Sequence, residues 1–88
     1  MLDSMCLKEY KDIKIFMKVD KKIYNIIHPH IIVDYKGVIA KISLDFSMIQ
    51  GHLPIDVKLY VLDWTLNNKQ DLMDKWKILT ILRNKKVA

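Results

Sequence analysis

The chain has 88 residues, of which 51% are hydrophobic and 28% are charged. This composition predicts one small globular domain over residues 1–88 and excludes a disordered or multidomain chain. The N-terminus lacks a secretory leader, no apolar run approaches the roughly 20 residues of a membrane helix, and the single cysteine, Cys6, cannot form an internal disulfide. We therefore expect a cytoplasmic protein that makes no use of membranes.

The chain has an excess of basic residues, which limits the kinds of partner it can bind. Lysine and arginine total 15 against 10 acidic residues, which gives a formal net charge of +5, and all of the basic residues except Arg83 are lysines. Such an excess suits RNA, DNA or an acidic protein partner, and it equally suits a solvated lysine-rich surface. Charge alone does not choose among these alternatives.

The N-terminal part of the chain predicts one strand. Residues 1–10 fit a short helix, an edge strand or a frayed end, and we leave all three open. Residues 11–20 alternate between apolar and polar side chains, which is typical of a half-buried strand whose inner face is Ile13, Ile15 and Met17. Residues 21–25 have the composition of a turn.

The middle of the chain predicts an antiparallel hairpin. Residues 30–35 and 38–46 read as strands, and Gly37 between them can adopt the positive φ of a tight turn. In the second of these strands the alternation places Val38, Ala40, Ile42, Leu44 and Phe46 on one face. Residues 47–56 end the sheet, with one short extra strand left open, and Pro54 fits the start of a helix.

The C-terminal third predicts two helices, over residues 55–68 and 69–86. Their apolar stripes follow helical spacing and consist of Val57, Tyr60, Val61 and Trp64 in the first and Leu72, Trp76 and Leu79 in the second. Strands followed by helices indicate an α+β fold. We expect a three-stranded antiparallel sheet over residues 11–50, four-stranded with the extra strand, covered on one face by two helices within residues 54–86.

Three histidines are the candidate catalytic residues. His28 and His30 are two apart in an extended segment and would point to the same side, so with His52 they could transfer protons in metal-independent RNA cleavage. Their spacing to the aspartates matches no recognised metal site, so we predict neither a metal nor a cofactor. The alternative is that both histidines are solvated at a polar strand start, where Pro29 directs the chain.

The candidate binding residues form two groups. Tyr35 and Lys36 lie at the predicted hairpin turn, and Arg83, Lys85 and Lys86 form a basic cluster at the end of the second helix. Such a cluster can contact RNA, DNA or an acidic partner, and it also fits a solvated helix end. The two tryptophans lie in apolar stripes and are predicted to be core residues rather than surfaces for base stacking.

A series of short motifs resembles a known family. "IKIFM", "PHIIVDYKGVIAKI", "GHLP", "VLDW" and "DLMDKW" follow one another in the order and spacing typical of the domain of unknown function 4160 family, over roughly residues 12–80. Pro29 and His30 match the family's Pro-His, and Ile32 stands where the family has a second histidine. The remaining matches are Tyr35 and Gly37 around an inserted Lys36, Gly51, Leu53 and Pro54 in Gly-x-Leu-Pro, Trp64, Leu72 and Trp76.

The resemblance implies a function that composition does not. Some members of this family are described as DhiT-like toxins of bacterial type II toxin–antitoxin pairs, and members commonly lie beside a second small protein. The resemblance therefore implies a toxin-like component with an antitoxin-like protein partner. It implies no chemistry; RNA as a target is suggested by the basic charge and the histidines of this chain. The alternative is a non-enzymatic regulator that binds protein or nucleic acid, or a small inhibitor, and a homodimer is left open.

Overall fold

The protein is described by a computed structural model that covers residues 4–19 and 28–87. These residues form an antiparallel sheet followed by two helices, as the α+β prediction required. The elements are β1 (Ser4–Tyr10), β2 (Ile13–Lys18), β3 (His30–Tyr35), β4 (Val38–Ser43), β5 (Ile49–Gln50), α1 (Ile55–Asn67) and α2 (Lys69–Val87). The turn predicted over residues 21–25 lies outside the described residues.

The sheet has five strands in the order β1-β2-β3-β4-β5, so the prediction of three or four strands is wrong. The strand that was not predicted is β1, at the N-terminus. Its residues fitted a short helix, an edge strand or a frayed end, and they pair with β2 as an edge strand. Its register shifts between Cys6 and Lys8, which leaves Leu7 as an extra residue in the pairing and blurs the alternation that would have revealed the strand. The short extra strand that we left open is β5, of two residues.

The predicted hairpin of β3 and β4 is confirmed. Tyr35 pairs with Val38 across a two-residue turn in which Lys36 and Gly37 have φ of 50° and 86°. Positive φ at both central residues is the mark of a type I′ turn, which suits the twist of paired strands. The second strand is shorter than predicted, since β4 ends at Ser43 and Phe46 lies in a loop with φ of 62°.

The two helices pack on one side of the sheet and form the core with it. The buried cluster joins inner-face residues of β2, β3 and β4 to one stripe from each helix, as the sequence predicted. Its helical members are Val57, Val61, Leu72, Trp76 and Leu79, with Tyr60, Leu62, Trp64 and Met73 packed partly buried against the core. Neither helix in the described part of the chain is long and apolar enough to cross a membrane.

Candidate functional site

His30, the first predicted catalytic residue, is buried at the start of β3 and not solvated. Its side chain is 0% exposed, and its ring lies 5.5 Å from the Trp76 ring between centroids, tilted by 53°. Its Nδ1 lies 2.5 Å from the backbone oxygen of His28. Because a carbonyl only accepts, Nδ1 carries the proton and donates it, which leaves Nε2 as the unprotonated nitrogen of the neutral ring.

The electrostatics of this position favour the neutral ring. Nε2 is buried and has no hydrogen-bond partner among the described residues. Burial lowers the pKa of His30 below 6.5, with smaller lowering effects from Lys41 and His28, while the bond to the His28 carbonyl acts in the opposite direction. The buried His30 ring thus connects the start of β3 to α2 through its contact with Trp76.

His28 points to a different group, the carboxylate of Asp45. Its Nε2 lies 3.4 Å from Asp45 Oδ2, and both side chains are partly exposed. Asp45 in turn accepts hydrogen bonds from the Ser47 hydroxyl at 2.7 Å, the Ser47 N–H at 3.0 Å and the Ser43 hydroxyl at 2.9 Å. These bonds, those of Ser47 first, hold the pKa of the Asp45 carboxyl well below its usual range.

The bonds around Asp45 also explain why β4 is short. Ser43 Oγ accepts a bond from the Met48 N–H at 2.9 Å, so the chain from Ser43 to Met48 closes on itself through side chains. Local bonds of this kind compete with the strand ladder and turn the backbone. The prediction that Leu44 and Phe46 continue the strand was wrong for this reason.

The structure does not bring the three predicted catalytic histidines together. His28 lines a cleft of about 250 Å³ with Pro29, Leu44, Asp45, Lys69 and Met73. His52 lines a separate cavity of about 60 Å³ beside Lys58 and Gly51, and His30 lines neither. No three His, Cys, Asp or Glu side chains within residues 4–19 and 28–87 are grouped closely enough to hold a metal ion.

Tyr35, a predicted binding residue, lines a second cleft at the other end of β3. This tyrosine cleft has a volume of about 190 Å³ and lies between two strand turns and the start of α1. Its walls are Tyr10, Lys11, Asp12, Ile13, Tyr35, Asp56, Val57 and Tyr60. The rings of Tyr10 and Tyr60 are stacked, with centroids 4.7 Å apart and planes 15° from parallel.

The lysines of the two turns adopt matching positions. Lys11 Nζ lies 5.3 Å from the centroid of the Tyr10 ring, and Lys36 Nζ lies 5.4 Å from that of Tyr35. Lys36 Nζ is also 3.8 Å from Asp12 Oδ2, which links the two turns. The predicted pair Tyr35 and Lys36 is therefore half of a larger aromatic and charged cluster. The side chains of Arg83, Lys85 and Lys86 lie outside the described part of the structure.

The helices expose an apolar surface that the sequence reading missed. On α1, Ile55, Leu59 and Leu66 are 69%, 58% and 61% exposed, and the partly buried Leu62 lies between them. At 100° per residue these three leucines and one isoleucine lie opposite the buried stripe, so α1 has two apolar sides. We call Ile55, Leu59, Leu62 and Leu66 the α1 outer row. α2 exposes three further residues, Ile78, Ile81 and Leu82.

The fold and these surfaces define a class of protein: a small α+β domain with a five-stranded meander and two C-terminal helices. The family described as Domain of unknown function (DUF4160) matches residues 12–77, and the chain belongs to this family. No curated protein and no solved structure is significantly similar to the chain. The match covers β2 to most of α2, which includes the His30–Trp76 contact and most of the tyrosine cleft.

Two signals in the sequence could have identified the missed residues. The dipeptide Tyr-Lys occurs at residues 10–11 and again at 35–36, each time at the end of a strand. The apolar residues of α1 recur at intervals of four, three and four on the side opposite the predicted stripe. Tyr60 was assigned to the core stripe, and its position in the cleft follows from tertiary packing that spacing does not contain.

Proposed function

We propose that this protein is the toxin-like component of a bacterial type II toxin–antitoxin module, and that its antitoxin-like partner binds the α1 outer row through a helix. The observation that carries the proposal is the exposure of Ile55, Leu59 and Leu66 in this row, while Leu62 between them is partly buried against the core. Large apolar side chains that are contiguous and exposed on a small protein are typical of protein interfaces. The toxin-like role itself is what the resemblance to the family implies.

The geometry of the row suits a helical partner. Intervals of four, three and four place its members along one line of about 16 Å, close to three helical turns. This is the spacing with which helices interlock in coiled-coil packing. Asp56 and Asp63 border the row on one side and Lys58 on the other, which gives it the polar rim of a typical interface.

Net charge favours a different protein over a second copy in this position. Two copies would bring together two bodies of +5 each, whereas an acidic partner would be attracted. We therefore assign the row to a heterologous, acidic protein. The homodimer that the sequence left open becomes one outcome of the test.

The test is co-expression with the small protein encoded by the neighbouring gene. We expect the two proteins to purify together, and Leu59→Glu with Leu66→Glu to abolish the complex. Burying two leucines contributes about 3 kcal/mol or more, so the double substitution should weaken binding more than a hundredfold. Isothermal titration calorimetry on the separated proteins measures this loss.

Ile39→Glu is the matched control, because Ile39 is 48% exposed on β4, away from the helices. It should leave the complex intact. All three positions are exposed, so the melting temperature of the free protein should stay within a few degrees of the original. The proposal would be contradicted if the protein encoded by the neighbouring gene still bound the double variant. It would also be contradicted if the original protein formed a homodimer that the double substitution, but not Ile39→Glu, converts to monomers.

Ribonuclease activity is the second candidate, and the His28–Asp45 corner is the observation that favours it. Of the three predicted histidines, His28 combines a carboxylate contact with a cleft, and Lys69 on the same cleft could meet a phosphate. This candidate predicts RNA cleavage without added metal, lost in His28→Ala and retained in His52→Ala. RNA that stays intact between about pH 5 and 8, where histidine titrates, would eliminate it.

A further inference from the structure

Two neighbouring turns hold lysines in a conformation that lysine rarely adopts. Lys11 and Lys36 have φ of 53° and 50°, in the left-handed region where glycine and asparagine are favoured. Each follows a tyrosine and places its ammonium group near that tyrosine's ring. Backbone strain of this kind persists at functional sites when the side chain itself is needed there.

The tyrosine cleft between these turns offers ring surface to a ligand. Tyr10 is 41% exposed although its ring stacks on Tyr60, so the stacked pair presents aromatic surface to solvent. The volume of about 190 Å³ is smaller than the 300 Å³ or more of a typical small-molecule pocket. The cleft therefore suits one flat group of a longer ligand rather than a whole small molecule.

We propose that the tyrosine cleft binds single-stranded RNA, with one base stacked on its tyrosines and the adjacent phosphates beside Lys11 and Lys36. Stacking on aromatic side chains combined with basic groups along the backbone is the general mode of single-strand binding. Asp56 lines the same cleft and can accept a hydrogen bond from the amino group of a base. This inference rests on the second candidate function, action on RNA, and does not use the α1 outer row.

The same observations argue against a basic peptide in the cleft. An arginine or lysine side chain would have to compete with two ammonium groups that already lie near the Tyr10 and Tyr35 rings. One of the two carboxylates, Asp12, is already paired with Lys36. Two lysines held at positive φ favour an anionic ligand, since glycine would form both turns with less strain and without the charge.

The test is fluorescence anisotropy with the full chain, without the protein partner, and a labelled single-stranded RNA of about 12 nucleotides. We expect saturable binding that Tyr35→Ala weakens about tenfold or more, as expected for the loss of one stacked base. The double substitution Lys11→Asn and Lys36→Asn should weaken binding similarly. Asparagine tolerates positive φ, so this variant should fold as well as the original protein even where Tyr35→Ala does not.

Lys14→Asn is the matched control, because Lys14 is exposed on β2 beside Ile13 and does not line the cleft. It removes one charge, as Lys11→Asn and Lys36→Asn each do, and should leave affinity within about twofold. Equal losses from Lys14→Asn and Lys36→Asn would overturn the inference, since binding would then follow net charge. Absence of saturable binding would also overturn it, whether or not the protein partner binds.

The partner interface serves as a second internal control. Leu59→Glu with Leu66→Glu should bind the RNA as the original protein does, because neither residue lines the cleft. Loss of RNA binding in that double variant would contradict the separation of the two surfaces.

Discussion

Gly51→Ala is expected to destabilise the domain by about 3 kcal/mol, which corresponds to a fall of about 12–24 °C in melting temperature. Gly51 follows β5 with φ of 97°, and a Cβ at this position would lie 2.6 Å from the Ile39 backbone oxygen and 3.0 Å from Ala40 Cα. Both atoms belong to the backbone of β4, which cannot yield as a flexible side chain would. The end of β5 must therefore move away from β4.

Gly37→Ala is the matched control for this prediction. Gly37 also has positive φ, 86°, but a Cβ there would meet nothing within 4 Å. Its substitution should cost only the backbone strain, about 1 kcal/mol, and lower the melting temperature by about 4–8 °C. Thermal unfolding followed by circular dichroism compares the two variants. Equal losses would show that φ, and not the close approach of two strands, fixes glycine at position 51.

The elements with strong local periodicity could be predicted from the sequence. The alternation from Ile13 to Lys18, the hairpin around Gly37 and the inner stripes of both helices all appear where they were predicted. In each case a repeat of two or of 3.6 residues reports which side faces the core. Pro54 also lies at the N-cap of α1, as its fixed φ and missing N–H allow.

The elements that were missed lack such a repeat. β1 contains a bulge at Leu7 and carries exposed residues over most of its second half, so its pattern is neither a strand nor a helix. β5 has two residues and follows a loop that the Ser43, Asp45 and Ser47 side chains close. Edge strands depend on pairing with a neighbour, and that information is not local.

The sites depend still more on distant contacts. The sequence left His30 with either a catalytic or a solvated role, and the structure contradicts the solvated one, because His30 is buried against the ring of Trp76. The tyrosine cleft joins residues 10, 35 and 60, which three different elements bring together. Tyr35 and Lys36 could be predicted as binding residues because they lie at a turn. The stacked pair Tyr10 and Tyr60 and the second lysine, Lys11, could be identified only from the fold.

His30 should make the stability of the protein sensitive to mild acid. Because burial lowers its pKa in the folded state, the unfolded chain binds a proton more readily, and the free energy of unfolding rises with pH. The full contribution is present above the unfolded pKa of about 6.5 and decreases as pH falls through that value toward the folded pKa. The melting temperature should therefore be lower at about pH 5.5 than at about pH 7.5.

His30→Asn distinguishes the contribution of His30 to the pH dependence of stability from that of the other titratable groups. An asparagine amide can still donate to the His28 carbonyl, but it does not titrate and it leaves a gap beside Trp76. At about pH 7.5 we expect a loss of about 2 kcal/mol from the missing ring contacts. Between about pH 7.5 and 5.5 the variant should lose less melting temperature than the original protein. Differential scanning calorimetry at each pH measures both changes.

His52→Asn is the control for this last prediction, because His52 is exposed and lies in another cavity. It should melt like the original protein at both pH values. Asp45 does not interfere, since its lowered pKa places its titration below 3.8, outside the range compared. A pH dependence that His30→Asn leaves unchanged would contradict this prediction, because it would show that His30 binds a proton equally well in the folded and the unfolded chain.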